Sequence, residues 1–174
     1  TKNFDARTKT LLDNESLGKI GLSKTQVVTL ASIVEREIHS ENERPVVAGI
    51  LLKRFKAGEL VGADATTQFA VARVRMGCLN ESDYSCPTEE NYQNVDWWPV
   101  NLTIDDLNSD SPYNTRKVVG LPPTPISSTS LSAISAVLNS KETPYSYYLT
   151  DSEGVVHYAT TLDQHNINIQ KYLR

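Results

Sequence analysis

The clearest alternation of apolar and polar positions lies between residues 22 and 38. Ser23 suits the N-cap of a helix, and Gln26 follows at the position that a capping box requires. Leu22 and Val27 occupy the two positions of a hydrophobic staple. The apolar residues recur at helical spacing and form one stripe: Val27, Leu30, Ala31, Val34 and Ile38. The pattern predicts a well-capped amphipathic helix.

Two glutamates on this helix are candidates for chemistry. Glu35 falls within the apolar sector, where burial would raise its pKa. A carboxylic acid that keeps its proton near neutral pH can protonate a leaving group. Glu37 lies on the other border of the apolar face, and residues two apart do not share a face, so we expect different roles. The alternative for Glu35 is an exposed carboxylate paired with His39, four residues later.

Helix start and stop signals divide the middle of the chain. Acidic residues and Pro45 predict a second helix start at 40–45, with Gly58 as its C′ residue. Its apolar face contains Val47, Ile50, Leu51 and Phe55. A short third helix is predicted over 66–75, and one helical turn over 102–107. The prolines and glycine of 109–130 predict an extended loop that is ordered by its contacts.

The C-terminal third has a different pattern. A helix is predicted over 131–138, and two runs rich in β-branched and aromatic residues, 145–150 and 155–159, flank a turn at 151–154. This arrangement predicts a β-hairpin, followed by a last helix over 162–173. The predicted class is therefore α+β, with a mainly helical core and a small antiparallel sheet.

Composition narrows the function. The chain of 174 residues is 39% hydrophobic and 22% charged, as in an ordinary globular domain. Its net charge of −4, without a basic stripe, argues against a nucleic-acid partner. No apolar run approaches the roughly 18 residues that a membrane span requires. Phe4, Leu11 and Leu12 resemble part of a helix without an N-terminal signal, so we expect a fragment of a longer protein.

Several chemistries are disfavoured by missing motifs. The chain has no GxSxG elbow, no GxGxxG and no P-loop. His157 and His165 are too few for a metal site, and we predict neither a metal nor a cofactor. His157 is interpreted as a structural strand residue. Cys78 and Cys86 lack zinc-site spacing; they either form a disulfide or are two unrelated thiols.

Glycosidic-bond cleavage fits the residues better. Most glycosidases need two carboxylates, and this chain offers Glu35 and a scattered second candidate, Asp64. Beyond this, four blocks in order resemble the endolytic murein transglycosylases, the MltG or YceG-like family. The blocks are LASIVERE at 30–37 with ERPVVA at 43–48, ADATTQFA at 63–70, DSPYNT at 110–115 leading into GLPPTPI at 120–126, and VHYATTLDQHN at 156–166.

The resemblance implies a lytic enzyme that cuts the MurNAc–GlcNAc β-1,4 bond inside nascent peptidoglycan strands without water. It implies 1,6-anhydro-MurNAc ends and a lysozyme-like active-site helix, on which Glu35 serves first as acid and then as base. Such a reaction needs only one catalytic carboxylate, in contrast to the two that most glycosidases use. Two alternatives remain: a hydrolytic muramidase that uses Asp64 as its second acid, and a catalytically silent peptidoglycan-binding module.

The resemblance also suggests which residues contact the glycan. The expected substrate-binding residues are Asp64, Thr66, Gln68, Tyr113 and Asn114. The alternative for Asn114 is a turn residue that caps backbone groups. Arg44 is expected to pair with Glu37 or Glu41 in a structural role. Departures from the family pattern occur at Lys53, at Ala65, where many members have proline, and at Thr124.

The resemblance further implies the setting of this chain. Residues 1–22 would be the tail of a connecting segment that follows a missing LysM-like region, and 23–174 would be the YceG-like catalytic domain. Residues 76–100 would be an atypical insertion that carries Cys78, Cys86, Trp97 and Trp98. A single-pass anchor absent from this soluble fragment would hold the domain on the outer face of the cytoplasmic membrane, consistent with a Cys78–Cys86 disulfide. Glycan strands and peptidoglycan synthases of the elongation or division machinery are the expected partners.

Overall fold

A buried helix, α3 (Lys24–Glu37), forms the centre of the fold in a computed structural model that describes residues 2–76, 96 and 98–173. It packs against α4 (Arg44–Lys56), α5 (Asp64–Arg75) and α7 (Leu131–Leu138). The remaining elements are α1 (Lys2–Thr8), α2 (Asn14–Ile20), α6 (Ile104–Leu107), β1 (Tyr147–Thr150), β2 (Val156–Ala159) and α8 (Leu162–Tyr172). The α+β class predicted from the sequence is confirmed.

The start of α3 follows its sequence signature. The Ser23 hydroxyl accepts a hydrogen bond from the Gln26 amide at 3.2 Å, and Gln26 Oε1 accepts one from the Ser23 amide at 2.8 Å. This reciprocal pair is the predicted capping box. Val27, Leu30 and Val34 are completely buried, as the apolar stripe requires. The helix ends after Glu37, where Ile38 turns to an extended conformation.

Helix α4 lies unusually close to the segment after α7. A Cβ atom at Gly49 would lie 2.0 Å from the carbonyl oxygen of Lys141, so only glycine fits there. The Lys141 amide donates a hydrogen bond to the Pro45 carbonyl at 2.9 Å. As predicted, Pro45 is in the first turn of α4, and Gly58 follows the helix with a φ of +70°.

The predicted hairpin is present but its strands are shorter. β1 and β2 pair antiparallel, with Tyr148 opposite Tyr158 and Leu149 opposite His157. The Asp151 carboxylate orders the turn by accepting hydrogen bonds from the amides of Glu153 and Val155, both at 2.9 Å. His157 bonds Asp151 at 2.7 Å, in agreement with the structural interpretation of this histidine. α8 packs across both strands.

The N-terminal segment contains two short helices, α1 and α2, and α2 packs against α7. Leu12 and Ile20 belong to the main hydrophobic core, and Gly21 ends α2 in the left-handed conformation. None of the helices in the described ranges combines the length and apolar character that crossing a bilayer requires. Cys78, Cys86, Trp97 and most of the predicted 76–100 insertion lie outside the described residues, so the disulfide stays a prediction.

Candidate active site

A pocket of about 570 Å³ lies where the C-terminal end of α3, the start of α5, the hairpin and α8 meet. This volume is within the usual range for ligand sites. Its wall combines acidic, basic and aromatic groups: Arg36, Glu37, Arg54, Asp64, Gln68, Arg116, Tyr147, Tyr148 and His165. Glu37 is therefore at the pocket, whereas Glu35 is not among the residues that line it.

Glu37 is held by one donor on each carboxylate oxygen. Oε1 accepts a hydrogen bond from the Ala65 amide at 3.1 Å, and Oε2 accepts one from the Tyr148 hydroxyl at 3.0 Å. Burial raises the pKa of Glu37, and the nearby Asp64 charge adds to the increase. The two hydrogen bonds and Arg116 oppose it, but the net pKa is raised above the ordinary value. Glu37 is thus a carboxylic acid that retains its proton to higher pH than usual.

Ala65 owes its role to its place in α5. It is the second residue of the helix, where backbone N–H groups have no intrahelical acceptor. Glu37 satisfies one of these orphan donors. A proline at this position has no N–H and could not make this contact.

Glu35 is bound on a different side of α3. Its Oε1 accepts a hydrogen bond from Arg44 at 2.8 Å, and its Oε2 accepts two from Ser130, from the amide at 2.8 Å and the hydroxyl at 2.6 Å. The Arg44 side chain is 7% exposed and that of Glu35 is 23% exposed. Arg44 also donates to the Ile38 carbonyl at 3.0 Å. This cluster joins α3, α4 and the start of α7.

The electrostatics of Glu35 differ from the expectation. Burial alone would raise its pKa, and it is the largest single influence. The two hydrogen bonds from Ser130 and the charge of Arg44 together outweigh it, so the pKa of Glu35 is lowered. The prediction of a raised pKa at Glu35 is therefore wrong. Arg44 pairs with Glu35 rather than with Glu37 or Glu41, and Glu35 bonds Arg44 rather than His39.

The predicted polar block is divided between pocket and core. Asp64 and Gln68 line the pocket, and exposed Asp64 forms an ion pair with Arg116. Thr66 is completely buried and donates its hydroxyl proton to the Ala63 carbonyl at 2.7 Å, and its Oγ1 lies 2.8 Å from that of Thr115. The expectation that Thr66 contacts substrate is corrected, because its hydroxyl is used within the core.

Tyr113 and Asn114 are also interior residues rather than groove residues. Tyr113 is 1% exposed, its ring packs 5.1 Å from that of Phe69, and its hydroxyl lies 2.8 Å from Thr124 Oγ1. The expectation that it stacks on a sugar is corrected, because its ring is covered by protein.

Asn114 is fully buried and uses both ends of its amide. Its Nδ2 donates to the carbonyls of Leu107 and Ser109 at 3.0 and 2.8 Å, and its Oδ1 accepts from the Thr67 hydroxyl at 2.9 Å. The alternative role, a residue that caps backbone groups of a turn, describes it correctly. The expected contact with substrate is corrected.

Several pocket residues had no predicted role. Tyr148 and Arg116 lie outside the recognised blocks, and nothing in their spacing signals a site. Arg36 and His165 belong to those blocks, which was the only available signal. The guanidinium of Arg36 lies 3.9 Å from the centre of the Trp98 ring, and the His165 ring stacks on Tyr147 at 5.2 Å. Burial lowers the pKa of His165.

A carboxylic acid in the wall of a pocket is the kind of group that can protonate a glycosidic oxygen. The model of the YceG-like family matches residues 1–171. The chain belongs to the YceG-like family. The resemblance recognised in its sequence blocks is thereby confirmed. Among the described residues of this YceG-like chain, no three His, Cys, Asp or Glu side chains are grouped to hold a metal ion.

Relatives of this YceG-like chain include named enzymes. The endolytic murein transglycosylase of Bacillus subtilis (strain 168) is 27% identical over 172 residues, which cover 99% of this chain and 41% of the relative. That of Streptococcus pneumoniae (strain D39) is 27% identical over 153 residues, covering 87% of this chain and 24% of the relative. The chain thus spans less than half the length of these relatives.

A solved structure has the same fold. The crystal structure of a YceG-like protein from Listeria monocytogenes matches with a TM-score of 0.74 and 27% sequence identity. The match covers 95% of this chain and 46% of the Listeria chain. The fold is therefore shared over almost the whole of this chain.

Proposed function

We propose that this chain is the catalytic part of an endolytic peptidoglycan lytic transglycosylase, with Glu37 as its proton donor. The observation that carries the proposal is the carboxyl group of Glu37, which has a raised pKa and lies in the wall of a pocket of about 570 Å³. The names of the Bacillus and Streptococcus relatives support the reaction class and peptidoglycan as the substrate.

The proposed reaction cuts the MurNAc–GlcNAc β-1,4 bond and needs one carboxyl group. Glu37 gives its proton to the glycosidic oxygen as the bond from MurNAc C1 to that oxygen breaks. The resulting carboxylate then takes the proton of the MurNAc C6 hydroxyl as O6 bonds to C1, which leaves a 1,6-anhydro ring. Because the nucleophile belongs to the same sugar, its effective concentration is high. Glu37 returns to its starting protonation state.

Glu37 replaces Glu35 in this role for two reasons. The Glu35 carboxylate accepts three hydrogen bonds from Arg44 and Ser130, and its pKa is lowered, so it is held ionised at neutral pH. An ionised carboxylate has no proton to donate. Glu37 has the opposite pKa shift and adjoins open space. We assign Glu35 to positioning α3 against α4 and α7.

The remaining polar wall of the pocket is proposed to hold the glycan. Asp64 and Gln68 keep their predicted roles as substrate-binding residues, because both line the pocket with Glu37. Tyr147 lies in the same wall, with its ring stacked on that of His165. We also propose that the whole protein is anchored in the cytoplasmic membrane with this domain outside, and that peptidoglycan synthases are its partners.

A hydrolytic muramidase is the second candidate. It is favoured by one observation: Asp64 lines the same pocket and its charge raises the pKa of Glu37, so two carboxyl groups are close together. The ion pair with Arg116 would have to open before Asp64 could activate water. The lyase is preferred, since it requires no such change.

Product analysis on purified sacculi tests both candidates. Mass spectrometry of fragments released by the wild type should show 1,6-anhydro ends, whereas reducing ends would identify a hydrolase. Glu37→Gln should release nothing, while Glu35→Gln, matched in chemistry, should retain activity in proportion to its folded fraction. A folded Glu35→Gln without activity beside an active Glu37→Gln would return the proton donor to Glu35. Binding to sacculi without any released fragment would instead support a silent binding module.

A further inference from the structure

Two tyrosines of the hairpin contact two glutamates in the same way. Tyr148 and Tyr158 are opposite each other in the β1–β2 ladder. The Tyr148 hydroxyl donates to Glu37, the last residue of α3, and the Tyr158 hydroxyl donates to Glu43, which precedes α4. The hairpin is therefore attached to the α3–α4 connection by two Tyr–Glu hydrogen bonds, one at each end of the connection.

The two contacts differ in their surroundings. Tyr148 and Glu37 both line the pocket, whereas Tyr158 and Glu43 are not among its lining residues. Burial and the adjacent Glu37 raise the pKa of Tyr148 well above its usual value, so its hydroxyl keeps its proton. Tyr148 therefore remains available as a hydrogen-bond donor to Glu37 throughout the physiological pH range.

We propose that Tyr148 is a positioning residue of the reaction, which holds Glu37 at Oε2 and stabilises the carboxylate that forms when Glu37 gives its proton to the glycosidic oxygen. This inference rests on the proposed function. A hydrogen bond to a charged acceptor is stronger than one to a neutral acceptor, so the Tyr148 bond strengthens as the proton leaves. Preorganised donors of this kind stabilise charge that develops during a reaction.

Other charged or titratable side chains line the pocket beside Glu37 and Tyr148. They are Arg36 on α3, Arg54 on α4, Asp64 on α5, Arg116 in the loop after α6, Tyr147 on β1 and His165 on α8. Arg54 already donates to the carbonyls of Val61 and Ser146, both at 2.6 Å. Of the hydrogen bonds to Glu37 described above, only that from Tyr148 comes from a side chain that substitution can remove cleanly.

The test compares Tyr148→Phe with the matched control Tyr158→Phe. Tyr148→Phe should lower kcat about five-fold with KM unchanged, and it should move the alkaline limb of the kcat profile up by about one pH unit, because the ionised form of Glu37 loses a donor. Tyr158→Phe removes the same kind of contact from the same row of the hairpin. It should leave both kcat and the limb unchanged.

A second measurement does not depend on activity. In ¹³C NMR of protein labelled at glutamate Cδ, the Glu37 signal is assigned by its absence in Glu37→Gln, and its titration is followed in each variant. The Glu37 pKa should rise by about one unit in Tyr148→Phe and stay constant in Tyr158→Phe.

Three outcomes would contradict these proposals. If the wild type is active but the Glu37 titration is unshifted in Tyr148→Phe, this inference alone is overturned. Equal shifts in both variants also overturn it, since they would reflect loosened docking of the hairpin. A wild type that titrates as expected but does not cleave sacculi overturns the proposed function, and the catalytic role of Tyr148 with it.

Discussion

Glu35 and Glu37 are separated by one residue on α3, yet their carboxylates are bound by different elements and their pKa values are shifted in opposite directions. Glu35 is bound by Arg44 and Ser130, and Glu37 by Ala65 and Tyr148. Because a helix rotates about 100° per residue, a separation of two sends side chains to different faces. One helix end thus carries both a structural carboxylate and a candidate acid.

Replacing each glutamate by the neutral glutamine should change the free energy of unfolding differently at the two positions. Glu35→Gln should lower the free energy of unfolding by about 2 kcal/mol at pH 7, because it leaves Arg44 without its counter-charge. Glu37→Gln should leave it unchanged or raise it by up to about 1 kcal/mol, because the raised pKa of Glu37 disfavours the folded state above the ordinary carboxyl pKa and glutamine does not titrate. Urea unfolding of both variants measures the difference.

The pH dependence follows from the signs of the shifts. The pKa of Glu35 is lower in the folded state than its ordinary 4.5, so its contribution is present above that value and is lost as the pH falls through the folded pKa. The pKa of Glu37 is raised, so the folded state is favoured below 4.5 and loses stability as the pH rises towards the folded value. For both Glu35→Gln and Glu37→Gln, the difference from the wild type in the free energy of unfolding should become smaller at acidic pH. A Glu35→Gln defect that persists there would contradict the ion-pair assignment.

Catalysis should decline at high pH. The proposed proton donor works only while Glu37 is protonated, so kcat should fall as the pH rises through its raised pKa. Initial rates of fragment release across the pH range measure this limb, with tryptophan fluorescence as a check that the protein stays folded. A limb located at the ordinary carboxyl pKa of 4.5 would argue against Glu37.

The close approach of α4 to the segment after α7 can be tested with two glycines. Gly49→Ala should destabilise the protein by about 3 kcal/mol, because the new Cβ would lie 2.0 Å from the Lys141 carbonyl oxygen. Gly18→Ala, in α2 with nothing within 4 Å, should stabilise it by about 0.5 kcal/mol through helix propensity. Thermal unfolding of both variants measures these changes. Similar changes in stability for Gly49→Ala and Gly18→Ala would refute the steric explanation.

Asn114 should be important for the stability of the 109–130 loop but not for catalysis. Asn114→Ala leaves buried partners unsatisfied at Leu107, Ser109 and Thr67, and should cost about 3 kcal/mol. The exposed Asn101→Ala serves as the control and should change stability by less than about 0.5 kcal/mol. Activity per folded molecule should be retained in Asn114→Ala. A stable but inactive Asn114→Ala would restore the residue to the substrate-binding set.

Much of the fold was predictable because its signals are local. The capping box at Ser23 and Gln26, the proline and glycine at the ends of α4, and the hairpin turn at Asp151 involve residues within a few positions of each other. The predicted helix over 131–138 coincides with α7. The N-terminal helices were less clear, since Leu12 and Ile20 acquire their meaning from the core that they join.

The sequence by itself determined the helix that carries both glutamates, the class of the fold and the family. Only the tertiary structure decided which glutamate faces the pocket. The partners of Glu35 and Glu37 are remote in the chain: Ser130 is 95 residues from Glu35, and Tyr148 is 111 residues from Glu37. Burial and hydrogen-bond donors set the proton affinity of a carboxylate. Since packing supplies both, no periodicity within α3 could have distinguished the structural glutamate from the acidic one.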